Sequence, residues 1–279
     1  MKIHPGARQA ALVGSFEGLA DDVYALYYNP AGILGIRDGE FAANHTQYFQ
    51  SINFDYLAAA MPLKAGGAKQ AMGLSITSLS VEKIEKRSGD TDTPESTFSA
   101  GDAAYQVSYA REALPRLDVG ISAKYISSRI ESFSAEAFAA DVGVLWKPEY
   151  QHIAGVGLTV RNAGGEMKFK EVSDPLPLSV TGGLALQWFD KKLTLLPGFY
   201  APRDNDPALS LGAEWKQPIT PGLDTALRAG YTTWERGTGG TRSLGIGFGL
   251  NFRQFGFDFG WIPYGDLGNT FRYSILARF

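Results

Sequence analysis

His4, His45 and His152 are the side chains in this sequence best suited to proton transfer or metal ligation, and they fall in three separate segments. None has a second ligand at helical or hairpin spacing, so no metal site is expected. None is paired by spacing with a nucleophile, so no catalytic residue and no enzyme are expected, and His45 reads as a satisfied or rim-facing residue. The chain has no cysteine. That removes thiolate chemistry and disulfides and suits an oxidising compartment. The glycine-rich stretch GIGFGLN at 245–251 lies inside an alternating run and opens no helix. It therefore fails as a phosphate cradle, and no cofactor is expected. A formal charge of -3, a pI near 5.7 and no basic cluster argue against nucleic acid as a partner.

One local feature could be mechanistic. Residues 193–200 read LTLLPGFY. Pro197 cannot donate to a strand ladder and Gly198 weakens it, so a paired strand should bulge or end here. The plain reading is an irregularity near a rim. The sharper one is a lateral gap through which an apolar ligand leaves the protein.

The elements that would position such a gap are strands. Ser243–Trp261 reads SLGIGFGLNFRQFGFDFGW, with Leu244, Ile246, Phe248, Leu250 and Phe252 on one phase and glycine or asparagine between them. After Arg253-Gln254 the phase flips to Phe255, Phe257, Phe259 and Trp261. A two-residue turn explains the flip, because it sets Phe252 opposite Phe255 and puts both on one face. Similar segments recur at 39–49, 51–61, 70–80, 101–110, 116–129, 136–147, 152–162, 176–188, 193–200, 207–216, 222–233, 242–252, 254–262 and 269–279. That makes about fourteen strands of roughly ten residues, the length of membrane-barrel strands. Short links near Pro115, Pro148, Asp190-Lys191 and Arg253-Gln254 alternate with longer polar loops at 81–100, 164–175 and 235–241. Short turns on one rim and long loops on the other are the outer-membrane barrel pattern. No apolar stretch approaches the ~18 residues of a membrane helix.

The charges are sorted by phase. Asp55, Asp118, Lys124, Asp141, Arg161, Glu214, Lys216, Asp224, Arg228, Asp258 and Arg272 fall opposite the large apolar side chains, among which we count Ile52, Phe54 and Tyr56. A soluble sandwich would also separate the phases. A closed sheet of this many strands, however, encloses too wide a lumen for a dry core, and the polar phase is mostly Gly, Ser, Thr and mixed charge. The expected fold is therefore an all-β transmembrane antiparallel barrel, apolar face outward. Phe271, Tyr273, Ile275 and the terminal Phe279 share the outward phase of the last strand, an ending like the signal read by the barrel assembly machinery. Trp146, Trp188 and Trp215 near short turns and Trp261 near a long loop fit two aromatic girdles.

Residues 1–38 break the alternation. Leu19, Val23 and Leu26 have helical spacing, and Pro30 stops a helix and pushes Asn29 into extended backbone. This predicts two parts: a short plug or hatch over 1–38 inside the lumen, and the barrel over 39–279. Phe16, Leu19 and Leu26 are the candidate ligand-facing residues of the hatch.

The stretch GARQAALVGSFEGLADDVYALYYNPAGILGI at 6–36 resembles the N-terminal signature of the PorV/PorQ group. That group is itself similar to the FadL-type long-chain fatty-acid transporters. Ala20-Asp21-Asp22 and Asn29-Pro30-Ala31-Gly32 are its most specific parts, and weaker matches run through HTQYFQSINFDYLAAAMPL and GDLGNTFRYSILARF. The resemblance implies a fourteen-stranded outer-membrane barrel with an N-terminal hatch, carrying the hatch motif on Asp21, Asp22, Asn29, Pro30, Ala31 and Gly32. It implies a role in protein secretion or cargo attachment of the type IX kind, with secreted cargo or secretion-machine subunits as partners. The alternatives are a transporter of hydrophobic, fatty-acid-like molecules and a general diffusion porin. All three place the chain in a bacterial outer membrane in contact with lipid. That location requires an export signal, and MKIHPGARQA has no apolar core of that kind, so the signal is expected to have been removed or to lie outside this sequence.

Overall fold

The computed structural model describes residues 3–64, 67–234 and 243–279. Its strands, in chain order, are β1 (Glu40–Gln47), β2 (Ile52–Leu63), β3 (Gln70–Lys86), β4 (Ser96–Leu114), β5 (Leu117–Ile130), β6 (Phe133–Trp146), β7 (Ile153–Gly164), β8 (Glu166–Phe169) and β9 (Val172–Pro175). They continue with β10 (Ser179–Trp188), β11 (Leu193–Pro202), β12 (Ala208–Thr220), β13 (Leu223–Thr232), β14 (Leu244–Phe252), β15 (Phe255–Pro263) and β16 (Asn269–Arg278). All but β8 and β9 form one closed antiparallel barrel of fourteen strands, in which β1 pairs with β16 from Glu40↔Arg278 to Gln47↔Phe271. Closure leaves no free sheet edge. The polar loop expected at 235–241 and the strand start expected at 242 lie outside the described residues.

The alternation explains the architecture. Phe252 sits opposite Phe255 across the Arg253-Gln254 turn. Phe248, Phe257 and Tyr273 are 39%, 42% and 49% exposed, whereas Lys124, Asp141, Arg161, Glu214, Arg228 and Arg272 are buried. Large apolar side chains outside and charges inside invert the soluble arrangement, and this is the outer-membrane barrel pattern. Among the described residues no helix is long and apolar enough to cross a membrane.

Three expectations are corrected. In β2 the phase is reversed: Phe54 and Tyr56 are buried in the lumen, while Leu57 and Asp55 face outward. Tyr56 stacks on Tyr24 of the N-terminal segment at 5.5 Å, so these rings fill a plugged interior and do not meet lipid. Asp55 is held on the outer surface by His45, Nδ1 to Oδ1 2.7 Å. Second, the stretch 81–100 is largely strand, because β3 and β4 run on together to Lys86↔Ser96 past a bulge between Val81 and Ile84. The stretch 164–175 likewise holds the β8–β9 hairpin. Third, no continuous helix spans Leu19 to Leu26. The N-terminal segment folds as α1 (Ala7–Ala11), α2 (Ala25–Tyr28) and a 3-10 turn at Pro30–Gly35. The chain bends at Ala20, φ +35°, just beyond Glu17-Gly18, whose backbone lies against Gly155 and Gly157 of the barrel wall.

Candidate ligand site in the barrel lumen

The N-terminal segment is seated against the inward faces of strands around the barrel. α1 packs on β13–β16, and the 3-10 turn packs on β2–β6. Wall glycines allow this close approach. A Cβ on Gly157 would lie 2.0 Å from the Glu17 carbonyl oxygen, and one on Gly143 would lie 2.2 Å from Asn29 Oδ1. Asn29 is extended at φ -155°, as the following proline requires. Its Oδ1 accepts from Ala31 N, and its Nδ2 donates to Glu17 O at 3.1 Å and Val144 O at 3.0 Å. Asn29 and Pro30 therefore pin the segment to β6, while Gly32 lets the turn close over Ala20, whose carbonyl oxygen would be 2.3 Å from an added Cβ.

Asp21 and Asp22 do different work. Arg8 reaches from α1 into a carboxylate cluster, donating to Glu214 at 2.8 and 2.9 Å, to Asp21 at 2.7 Å and to Asp22 at 2.8 Å. Glu214 also takes Arg228 at 2.6 Å and Lys216 at 3.1 Å, and Arg228 bonds Asp258 at 2.7 Å. This network lies on the short-turn side and borders a polar cavity of about 360 Å³ lined also by Lys191, Lys192 and Arg253. Burial pushes the Asp22 carboxyl up to about 7 against the opposing pull of Arg8, with Asp21 and Glu40 adding to the rise. Burial also raises Glu17, although Arg161 opposes it.

On the long-loop side lies a second cavity, of about 220 Å³. It exceeds the ~150 Å³ apolar cavity known to hold a benzene ring. Its floor is His4 and Tyr27, its roof is Met167 of β8 with Leu176 and Pro177, and its walls include Ala104, Ile126, Tyr200 and Trp234. Two cations face it. Lys124 is committed to Asp141 at 2.5 Å and to Asn162 Oδ1 at 3.0 Å. Arg161 is only 5% exposed, yet its Nε has no acceptor and no carboxylate of the described residues lies within 4.0 Å of it. Its guanidinium lies over the Tyr27 ring, 5.0 Å from the centroid. Tyr27, Glu17 and Asp141 act on this guanidinium, but a buried Nε–H without an acceptor still carries a cost, which an anionic or strongly accepting ligand group would offset. A narrow extension of about 20 Å³, lined by Arg161, Glu17, Val13, Thr181 and Tyr200, leads down between the segment and β10–β12.

Phe16, Leu19 and Leu26 do not line the larger cavity. Phe16 is buried edge-to-face on Tyr28 at 5.5 Å, Leu19 packs between two core clusters, and Leu26 lies against β3 at Gly73. The N-terminal segment instead contributes His4 and Tyr27. Pro197 and Gly198 lie inside β11 and pair with Leu211 and Ser210 of β12 without interruption. On the other side the β10–β11 ladder lacks the pairs Leu184–Pro197 and Ala185–Leu196, and β10 bulges against β7 between Ala185 and Leu186. Phe271, Tyr273 and Ile275 face outward, and Phe279 bonds Gly39 through both backbone groups. Sequence reasoning placed Arg161 and Lys124 inward but not at a cavity, and it missed Tyr27, Met167, Leu176, Tyr200 and Trp234. A signal for Met167 existed: it is one of three apolar residues, with Phe169 and Val172, in a loop read as polar. Among the described residues no group of three or more metal-ligating side chains is present.

No family model matches this sequence, and no curated protein sequence is similar to it. Solved structures do match in fold. The Ralstonia pickettii toluene transporter TbuX superimposes with a TM-score of 0.65 at 11% identity, covering 100% of this chain and 99% of that one. A Pseudomonas aeruginosa FadL homologue gives 0.66 at 10% identity over 100% and 99% of the two chains. A TodX monoaromatic hydrocarbon channel variant gives 0.66 at 11% over 98% and 99%. The chain shares its overall fold with these three structures. The secretion role implied by the resemblance to PorV has no support among these neighbours.

Proposed function

We propose that this chain is an outer-membrane channel for small hydrophobic molecules that carry a polar, fatty-acid-like head. The observation that carries the reading is the buried Arg161 guanidinium, whose Nε has no acceptor, facing a mainly apolar lumenal cavity. The apolar lining takes the body of the ligand, and Arg161 takes its carboxylate. The neighbours named as transporters or channels for toluene and monoaromatic hydrocarbons support the hydrophobic part of this reading. Residues 3–38 act as the hatch, with the Asn29–Gly32 motif as its anchor and the Arg8–Asp21–Asp22 cluster as its clamp. A diffusion porin is disfavoured because the segment fills the lumen, and nothing in the geometry favours transport over secretion-cargo attachment more directly than the cavity itself.

The exit we favour is lateral. The narrow extension ends against β10–β12, beside the two missing β10–β11 pairs at Pro197. Fewer ladder bonds at Pro197 make this stretch of the wall easier to part. The test of function is binding, read from Trp234 fluorescence, of a medium-chain carboxylic acid against the matched alcohol. Removing the guanidinium with Arg161→Gln is expected to weaken the acid by about tenfold to a hundredfold, from the ~1.5–3 kcal/mol of a charged hydrogen bond, and to leave the alcohol unchanged. Equal weakening of both, or no binding of either, refutes the assignment.

A further inference from the structure

The cavity on the long-loop side has two unlike faces. One is a band of rings. Tyr200 of β11 lies 5.0 Å, centroid to centroid, from Trp234, which follows β13, and the two planes are tilted by 37°. Trp234 meets His4 edge-on at 6.3 Å, and His4 meets Tyr27 edge-on at 6.4 Å. These rings all line the cavity, and Tyr27 also carries the Arg161 guanidinium over its face. The other face is aliphatic. Ala104, Ile126 and Leu176 belong to a separate buried cluster, with Met167 packed against it.

Size, stiffness and polarity narrow the occupant. A cavity of ~150 Å³ holds a benzene ring. At the same filling, the volume of about 220 Å³ admits about nine non-hydrogen atoms, which is one ring bearing one carboxylate. Hexadecanoate, roughly twice that size, overfills it. A ring enters without freezing internal rotations, whereas an alkyl chain of equal size loses several. Aromatic side chains also reward a further ring beyond its area, through edge-to-face and offset-stacked contacts. Of the two carboxylates in the lining, Asp102 accepts from Ser128 and Asp174 is exposed. Arg161 is buried with its Nε–H lacking an acceptor. The lining group that needs a partner is therefore a donor, and it adjoins the band of rings.

We propose that the cavity selects single-ring aromatic carboxylates, with benzoate as the simplest, over straight-chain fatty acids. The proposal rests on Arg161 as the head-group site and adds what the body of the ligand is. A carboxylate accepting from Arg161 Nε–H sets its ring beside Tyr27, with the Tyr200–Trp234 pair on one side and Ala104 and Ile126 on the other. Met167 in the roof is flexible and polarizable, so it closes over rings with different substituents. Tyr200 and Trp234 determine specificity for the ring, as Arg161 does for the head.

The test is titration calorimetry of the detergent-solubilised full chain with benzoate, cyclohexanecarboxylate, toluene and hexadecanoate at neutral pH. Cyclohexanecarboxylate matches benzoate in head group and nearly in size but has no π face. Benzoate is expected to bind about threefold to tenfold more tightly than cyclohexanecarboxylate, and more tightly than toluene or hexadecanoate. Trp234→Leu and Tyr200→Leu should each weaken benzoate and leave cyclohexanecarboxylate unchanged. The ligand series on the unaltered chain keeps the test decisive if neither variant folds. Cyclohexanecarboxylate binding as tightly as benzoate, or hexadecanoate binding more tightly, overturns the ring assignment and leaves Arg161 as the head-group site. Toluene binding as tightly as benzoate, or no acid binding at all, overturns both.

Discussion

Replacing Gly157 with valine tests whether the N-terminal segment closes the lumen. Gly157 lies on the inward face of β7, and a Cβ there would sit 2.0 Å from the Glu17 carbonyl oxygen and 2.4 Å from its carbon, against the 3.4 Å at which ordinary contact begins. The obstacle is backbone on both sides, so no side chain can swing away. The Glu17-Gly18 stretch must retreat by more than about 1 Å, and it also loses its close fit at Gly155, where the Gly18 oxygen would be 2.2 Å from an added Cβ. Overpacking of this kind costs about 1–3 kcal/mol, which shifts the equilibrium between seated and unseated segment about five- to 150-fold. The barrel ladder on either side, Gly157↔Gly183 and Leu145↔Gly157, involves backbone only and should survive. In planar bilayers the Gly157→Val protein should conduct in longer or more frequent openings than the parent, with unchanged heat-modifiable gel mobility. Leu158→Ala, on the lipid-facing side, serves as the control and should leave conductance as it was. A Gly157→Val barrel that folds normally and conducts no more than the parent refutes the idea that residues 3–38 are what blocks the lumen.

Asn29→Ala removes the cap on Ala31 and both bonds to Glu17 O and Val144 O. Two buried carbonyls then lose a donor, and a loss of about 1–3 kcal/mol in segment docking is expected, visible as faster exchange at Ala25–Tyr28 with the strands unaffected. Phe257→Arg places a cation among Leu250, Phe255 and Ile275 on the outer face and should impair membrane insertion more than Gly256→Arg. Because Phe257 is near a rim, the cost should fall below the ~2–4 kcal/mol expected at mid-bilayer, which Leu227→Arg in the middle of β13 should approach. Equal effects of Phe257→Arg and Gly256→Arg on heat-modifiable mobility would contradict the orientation of β15. A double change, Leu184→Cys with Pro197→Cys, allows the unpaired stretch of β10 and β11 to be locked by a disulfide in a chain that has no other cysteine. If the ligand leaves sideways, oxidation should stop its delivery and reduction restore it; delivery that continues after oxidation points to a route straight through the lumen.

Much of the barrel was legible because lipid and lumen impose opposite demands on alternate residues. In Ser243–Trp261 every large side chain had to meet lipid and every small or polar one had to clear the interior, so phase, turn and partner strand followed from local order. The same reasoning failed at Phe54 and Tyr56. A large ring is equally satisfied by lipid and by a packed plug, and only the presence of Tyr24 behind Tyr56 decides between them. The helical spacing of Leu19, Val23 and Leu26 misled for a related reason, since contacts to wall glycines more than a hundred residues away override the local preference at Gly18. The candidate site was less legible still. Arg161 reads as one more inward charge, and what makes it a site is an Nε–H left without an acceptor beside an open cavity. Arg8 meets Glu214 across 206 positions of chain. By itself the sequence determined the period, the face of most residues and hence the closed sheet, because those depend on nearest neighbours and on the solvent each face meets. Which polar groups are paired, which is left over and where space remains were decided only by the tertiary structure, because such balances are struck between side chains that the chain order keeps far apart.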